Sequence, residues 1–80
     1  MDLRETKFEG ARLTHGILHC SDLTNANLAN TDLSNASLKQ ANLTGTVFRN
    51  AIVNGANFTG VKGLTAEVTN YLKSKGATGL

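Results

Sequence analysis

The segment HGILHC carries the densest group of reactive side chains in the chain, with His15, His19 and Cys20 close together. Imidazole and thiolate groups bind zinc, but a zinc site needs three or four ligands that converge on one point. Histidine next to serine can activate a nucleophile, and two adjacent carboxylates can serve as acid and base. Each of these chemistries depends on which side chains the fold brings together, so the elements that position them must be considered first.

Large apolar residues recur at every fifth position from residue 3 to residue 58, and every Leu and Phe of residues 1–60 lies in this register. A second column, two residues earlier in each unit, holds only Ala, Thr, Ser or Gly from Thr6 onwards. The other columns are mostly polar. The predicted core therefore consists of one residue per unit: Leu3, Phe8, Leu13, Leu18, Leu23, Leu28, Leu33, Leu38, Leu43, Phe48, Val53 and Phe58.

A period of five fits neither an α-helix nor a flat alternating strand, whose side chains repeat every 3.6 and 2.0 residues. A chain that turns a corner every five residues does fit it. Four such units would close a square coil of twenty residues, and successive coils would stack at about 4.8 Å with parallel backbone pairing. The twelve units between residues 1 and 60 predict about three coils around a narrow, leucine-filled interior.

This geometry separates most of the reactive groups. His15 and Cys20 would occupy corners on neighbouring faces and diverge, which predicts surface imidazoles and a solvent-facing thiol and not a metal site. No serine is expected to have a histidine placed to activate it, and Asp22 and Asp32 would lie on different faces. A filled tube leaves no substrate pocket. We therefore predict no enzymatic activity, no cofactor and no bound metal.

Several units share a more specific pattern, among them SDLTN (21–25), ANLAN (26–30), TDLSN (31–35), ANLTG (41–45) and ANFTG (56–60). They resemble the pentapeptide-repeat family, whose pattern is A-(D/N)-L-x-x. The resemblance covers about residues 2–60. It implies an all-β solenoid, a right-handed quadrilateral parallel β-helix. The segments KFEG, RLTH and ILHC of the first coil lack the Asp or Asn before the central residue, which predicts less regular corners there.

The repeat stops at Gly63, which divides the chain into a predicted β-helix, 1–62, and a C-terminal segment, 63–80. That segment reads as a short capping helix, with Thr65 as N-cap and Gly76 as terminator. One face of the helix is expected to cover the C-terminal end of the tube, a kind of cap that repeat proteins require. A dimer contact through the helix is the alternative. The predicted cap residues are Leu64, Val68, Tyr71 and Leu72.

The N-terminal end has no such cover in the sequence, because Leu3, Phe8, Leu13 and Leu18 already belong to the repeat. An uncovered coil exposes apolar side chains and an unpaired strand edge. Two interpretations follow. Either further residues belong ahead of this coil, or two tubes meet head to head as a homodimer.

The charge distribution bears on partners and location. The net charge is +2, yet residues 1–60 carry equal numbers of acidic and basic side chains, and the excess lies in Lys62, Lys73 and Lys75. This argues against nucleic-acid binding. No segment is apolar enough to span a membrane, and MDLRETKFEG is not a signal peptide as it stands. We expect a cytoplasmic location by default, unless a leader was removed from a longer precursor.

Three apolar residues, Ile17, Val47 and Ile52, fall in a column that should face outward. Either the C-terminal segment folds over Val47 and Ile52, or these residues belong to a protein-contact patch. The leading functional prediction is a non-enzymatic interaction or scaffold module with an unknown protein partner. A type II topoisomerase (gyrase) binding protein that mimics DNA is one alternative, although it would need a strongly acidic surface. A self-assembling structural solenoid is the other.

Overall fold

The computed structural model describes residues 2–80, and the pairing within them repeats every twenty residues. Parallel backbone bridges join Asp2 to Asp22, Asp22 to Asn42 and Asn42 to Lys62, and corresponding bridges occur on the other three sides. Each bridge is isolated, and no continuous strand forms between residues 2 and 80. We call residues 2–21, 22–41 and 42–61 the first, second and third rungs. Since residue i pairs with residue i+20, equivalent residues of successive rungs lie one above the other.

A left-handed backbone conformation at every fifth residue makes the corners. All residues from 5 to 60 at this spacing have φ between 58° and 76°, whether or not they are glycine. Asn25, Asn30 and Asn35 suit this conformation because a short polar side chain tolerates it. The first rung places Glu5, His15 and Cys20 there instead, and its corners are nevertheless formed in the same way.

An aspartate or asparagine two residues before the turn stabilises many of these corners. The side-chain oxygen of Asp32 accepts the backbone N–H of Ser34 at 3.0 Å and the Ser34 hydroxyl at 2.6 Å. Asp22 with Thr24, Asn42 with Thr44 and Asn57 with Thr59 repeat this pair of bonds. The (D/N)-L-(S/T) pattern is therefore a turn-stabilising device, an Asx turn with an added hydroxyl.

The core lies on the axis of the solenoid and is best enclosed in the second and third rungs. The central Leu, Phe and Val residues of these rungs are all buried, and the rings of Phe48 and Phe58 meet edge to face with centroids 5.9 Å apart. The small column of these rungs is buried with them except at Thr46, which is half-buried, because small residues bring the backbone close to the axis. In the first rung the central residues are only half-buried and pack against this core from one side: Leu3, Phe8, Leu13 and Leu18.

The C-terminal segment contains helix α1, which spans Ala66–Ser74. Thr65 is its N-cap and accepts the Val68 N–H through its hydroxyl at 3.2 Å, and Gly76 follows the helix with φ of 96°. Leu72 is completely buried, whereas Leu64 and Val68 are partly buried against the core. Nothing within residues 2–80 forms a helix with the length and apolar character needed to cross a bilayer.

The chain after α1 also contributes to the cover, for which the sequence interpretation named only Leu64 and one face of the helix. Thr78 forms a parallel bridge with Asn57, donating its N–H to the Ala56 carbonyl at 2.8 Å and accepting from the Phe58 N–H at 2.9 Å. Ala77 and Leu80 pack against the core from the same side. The C-terminal end is thus covered by a helix and by a short returning segment that continues one side of the solenoid.

Candidate functional site

The predicted reactive cluster is spread over the surface. His15 and Cys20 both lie at corners with φ of 58°, and both are exposed. The Cys20 thiol is free and lies 3.4 Å from Oε1 of Gln40, the equivalent corner of the next rung. Among residues 2–80 no group of three His, Cys, Asp or Glu side chains is close enough to hold a metal ion.

His19 requires a correction, because the structure places it next to a serine. Its Nε2 lies 2.5 Å from Oγ of Ser37, although the sequence interpretation expected no histidine beside any serine. The columns of that interpretation align residues twenty apart, whereas these two residues are eighteen apart and their side chains meet diagonally across one side of the solenoid. Both groups are at the surface, and no third side chain of residues 2–80 bonds to the other ring nitrogen to orient the base, as a catalytic triad requires.

The carboxylates of Asp22 and Asp32 accept hydrogen bonds within their own turns. Hydrogen bonds from the side chain and backbone of Thr24 lower the pKa of Asp22, and those from Ser34 lower the pKa of Asp32. Each group is held in its ionised form by its own turn, so the two do not form an acid–base pair. Sequence reasoning missed this role for the serine and threonine hydroxyls. Their recurrence two residues after Asp or Asn was the signal that could have revealed it.

Of the three exposed apolar residues, none is covered. Ile17 is 71% exposed, Val47 41% and Ile52 52%, so the C-terminal segment does not fold over the latter two. The three residues lie on three different sides of the solenoid, because they pair with Ser37, Asn27 and Asp32, respectively.

A shallow cleft lies between α1 and the third rung. It has a volume of about 470 Å³ and continues into a second depression of about 290 Å³ beside Ile52. Tyr71, which the sequence assigned to the cap, lines both parts and is 37% exposed, with Lys75 Nζ 5.7 Å from its ring centre. Tyr71 therefore forms the rim of the cleft, while Leu72, the next residue, faces the core.

The N-terminal edge of the first rung offers unpaired backbone groups. In the second rung, Asn27 uses both its N–H, which donates to the Thr6 carbonyl, and its C=O, which accepts from Phe8 N–H, each at 2.9 Å. Both groups therefore point towards the first rung. The equivalent groups of Lys7, Arg12 and Ile17 point away from the body of the protein and bond to nothing within residues 2–80. We call this line of residues, with Asp2, the open edge.

Charged side chains flank the open edge. Arg4 forms a two-pronged ion pair with Asp2, with both N–O distances at 2.9 Å, and its Nε lies 3.9 Å from Asp22. The hydrogen bonds from Arg4 lower the pKa of Asp2 to about 2. Glu5, Lys7, Glu9 and Arg12 are exposed around the same rung. The edge thus combines half-buried leucines, free backbone groups and charges of both signs.

Comparison with other proteins agrees with this architecture. The family model for pentapeptide repeats matches residues 1–30 and 21–60, with eight copies. A crystal structure of a pentapeptide repeat protein from the thylakoid lumen of Arabidopsis thaliana is 30% identical, with a TM-score of 0.53 over 99% of this chain and 68% of that one.

HetL, a pentapeptide repeat protein involved in heterocyst differentiation regulation in the cyanobacterium Nostoc, is 25% identical, with a TM-score of 0.48 over 75% of this chain and 37% of that one. No curated protein sequence matches the chain. The family match spans most of the chain, and the backbone pairs at the interval that five-residue units in groups of four require. The chain therefore belongs to the pentapeptide repeat family and is a β-helix solenoid.

Proposed function

We propose that this chain is a right-handed, four-sided β-helix of three coils that acts as a non-enzymatic protein–protein interaction module, and that it binds through exposed apolar side chains of the third rung. The observation that carries the proposal is the exposure of Val47 (41%) and Ile52 (52%), which lie in consecutive repeat units. Ile52 also lines the depression whose rim is Tyr71. Exposed apolar side chains beside a shallow cleft suit contact with another protein.

A binding role also agrees with the distribution of polar groups. The carboxylates of Asp22 and Asp32 are engaged in their turns, and the His19–Ser37 pair is exposed at the surface. The cleft beside α1 is shallow, and Glu67 is the one carboxylate among the residues that line it. These features support a surface that recognises and does not transform its partner.

The charges favour a protein partner over a DNA-mimic role. A mimic needs an extended acidic surface to imitate phosphates, whereas acidic and basic residues are equal in number up to residue 60. Inhibition or protection of gyrase in a supercoiling assay would reverse this preference. A cytoplasmic location is part of the proposal, since the single thiol, Cys20, is exposed and unpaired.

Affinity capture from the native source, with matched variants as bait, tests the proposal. The test variant is Val47→Ser/Ile52→Ser, and the control is Lys7→Glu/Arg12→Glu on exposed positions of the first rung. We expect proteins captured by the unmodified chain to be lost with the test variant and retained with the control. Loss with the control alone would place the binding surface on the first rung. Capture that is indifferent to both variants would contradict a role for either surface.

A further inference from the structure

Two sides of the third rung are left without a backbone partner beneath α1. On the other two sides a later segment continues the parallel pairing, through Lys62 and through Thr78. On the sides of Val47 and Ile52, the positions that would continue it lie within α1 instead, because the chain has left the five-residue period at Gly63. The opening is therefore produced by the helix, which takes the place of a further rung on these two sides.

The free backbone groups on the side of Val47 are one acceptor and two donors. In the second rung, the equivalent C=O and two N–H groups pair with the third rung at 2.8 to 3.0 Å, and they belong to Ala26, Leu28 and Asn30. In the third rung these groups are the C=O of Thr46 and the N–H groups of Phe48 and Asn50. They form no hydrogen bond within residues 2–80. Since the pairing repeats every twenty residues, all three point away from the second rung, towards α1.

These groups lie along the cleft between α1 and the third rung. Phe48 and Asn50 line the cleft from the rung, and Val68 and Tyr71 line it from the helix. Phe48 is only 5% exposed, and an N–H group without a partner is uncommon on a buried residue. The cleft has a volume of about 470 Å³, within the range of pockets that enclose small ligands. It can therefore admit a short extended segment.

The chain itself shows how such a side is completed. Thr78 lies outside the repeat, in the segment after α1, and forms a single parallel bridge with Asn57. Its N–H donates to the Ala56 C=O at 2.8 Å, and its C=O accepts from the Phe58 N–H at 2.9 Å. A segment without the repeat pattern thus adds to the third rung through the same kind of groups that are free beside Val47. Addition of a strand to an exposed edge is a common mode of peptide recognition.

The register of an added strand determines which side chains it must carry. A residue bridged to Val47 would point outward and stack on this valine, which is 41% exposed. The next residue would point inward, over Phe48 and towards Val68 on the helix. The third residue would point outward again and stack on Arg49. The first two positions therefore favour apolar side chains.

Charge selects the third side chain. Arg49 is exposed at the border of the cleft, and the ion pairs formed within residues 2–80 all belong to Arg4. Lys75 adds a second cation at the adjoining depression, whereas Glu67 is the one carboxylate that lines either part. A carboxylate stacked on Arg49 is attracted, and a cation in the same place is repelled. The third position therefore favours an acidic residue.

We infer that the cleft binds an extended segment of another protein, added parallel to the third rung beside Val47, with two apolar residues followed by an acidic one. The first residue of the segment donates to the Thr46 C=O and accepts from the Phe48 N–H. The third accepts from the Asn50 N–H and places its carboxylate against Arg49. The inference rests on the proposed function, because it uses the same face of the third rung, and it adds the chemistry of the partner.

Amide hydrogen exchange followed by NMR tests the backbone pairing. The probe is the blocked peptide acetyl-TVVET-amide, added to the isotope-labelled 80-residue protein. We expect saturating peptide to slow exchange of the Phe48 and Asn50 amides by at least about tenfold, because both become hydrogen-bonded. The amide of Val53, which is unpaired on the neighbouring side, should keep its rate. Binding that leaves Phe48 and Asn50 unprotected, or that slows Val53 equally, would overturn the inference.

A charge swap tests the register. Replacing the glutamate of the peptide by lysine should raise its dissociation constant by about tenfold, and Arg49→Glu should reverse the preference. The matched control Lys39→Glu makes the same charge change at the equivalent place of a repeat unit on another side, and it should leave the preference unchanged. An unchanged preference in Arg49→Glu, or the same reversal in Lys39→Glu, would contradict the stacking of the acidic residue on Arg49.

The two proposals can fail separately. If the peptide shows no saturable binding up to millimolar concentration, while proteins are still captured in a manner that depends on Val47 and Ile52, strand addition is overturned and the interaction module stands. If the peptide does not bind and capture is also unaffected by Val47→Ser/Ile52→Ser, both are overturned.

Discussion

The two ends of the solenoid begin from the same repeat but are finished differently. At the C-terminal end, α1 and the bridge between Asn57 and Thr78 cover the third rung, and Leu72 is completely buried. At the N-terminal end, Leu18 and its equivalents remain half-buried, and the backbone groups of Lys7 and Arg12 are unpaired within the described chain. The comparison teaches that a periodic sequence builds the walls, whereas closing an end requires a segment that leaves the period.

The largest difference between the ends should appear when one leucine is truncated at each. Leu72→Ala should lower the free energy of unfolding by about 3 kcal/mol, because it leaves a cavity under α1. Leu18→Ala removes a half-buried side chain and should cost about 1 kcal/mol. Urea unfolding of both variants measures the difference. Equal losses would show that the first rung is enclosed as well as the third.

Two glycines in the left-handed conformation offer a second comparison. A methyl group on Gly63 would collide with the backbone N and Cα of Thr44, whereas one on Gly10 would meet nothing within 4 Å. Both have positive φ, 87° and 76°. Gly10→Ala should therefore cost about 1 kcal/mol from the left-handed conformation alone, and Gly63→Ala about 2 kcal/mol. Thermal unfolding of the two variants separates the conformational penalty from the steric one, and indistinguishable midpoints would refute the close approach of Gly63 to the Thr44 backbone.

Ser21 lies where the first rung passes into the second, and its truncation should change the free energy of unfolding in the opposite direction to the substitutions above. Its hydroxyl is buried and has no hydrogen-bond partner within residues 2–80. The same column holds Ala26, Ala36 and Ala41, all buried. Ser21→Ala should raise the free energy of unfolding by about 1 kcal/mol, because it removes an unsatisfied polar group. Urea unfolding checks the sign, with Ser34→Ala, which loses the bond to Asp32, expected to be destabilising.

The smallest expected effect is on the loss of stability at acid pH. Because hydrogen bonds lower the pKa of Asp22 and Asp32 in the folded chain, these groups contribute stability above about pH 4, which is lost as the pH falls through their folded-state pKa values. Asp22→Asn/Asp32→Asn keeps the acceptor oxygens, as Asn42 and Asn57 do. The variant should therefore lose less of its thermal midpoint between about pH 5 and pH 2.5 than the unmodified chain.

Asp2 belongs to the open edge and supplies the contrast for this experiment. Its pKa of about 2, lowered mainly by hydrogen bonds from Arg4, places its titration below the acid end of this window. Asp2→Asn should leave most of the acid dependence of the whole chain in place, because the ion pair between Asp2 and Arg4 is exposed and screened by solvent. A change as large as that of the double variant would mean that both regions contribute equally.

Much of the fold follows from local pattern. Leu or Phe at every fifth position, with a small residue two positions earlier, can all face one interior only if the chain turns at regular corners. These corners are found at every fifth residue. Helix α1 was predictable from Thr65 and Gly76, since capping acts within one turn. That the segment HGILHC forms no metal site followed from the same corner geometry, and it stays a prediction.

Contacts between rungs were harder to anticipate. The His19–Ser37 hydrogen bond joins residues that are not equivalent in the repeat, and Thr78 lies outside it. The exposure of Val47 and Ile52 depends on where α1 crosses the end of the solenoid. Spacing along the chain fixes neither these contacts nor the exposure of these side chains.

The amino-acid sequence by itself determined which side chains line the axis and where the corners fall, because inward and outward positions are set by the local conformation of five residues. Only the tertiary structure decided how the C-terminal end is covered and which side chains meet diagonally, as His19 and Ser37 do. The first outcome depends on how α1 and the segment after it pack against the third rung, and the second on how adjacent rungs stack. Packing between distant segments is governed by shape and burial that no single repeat contains.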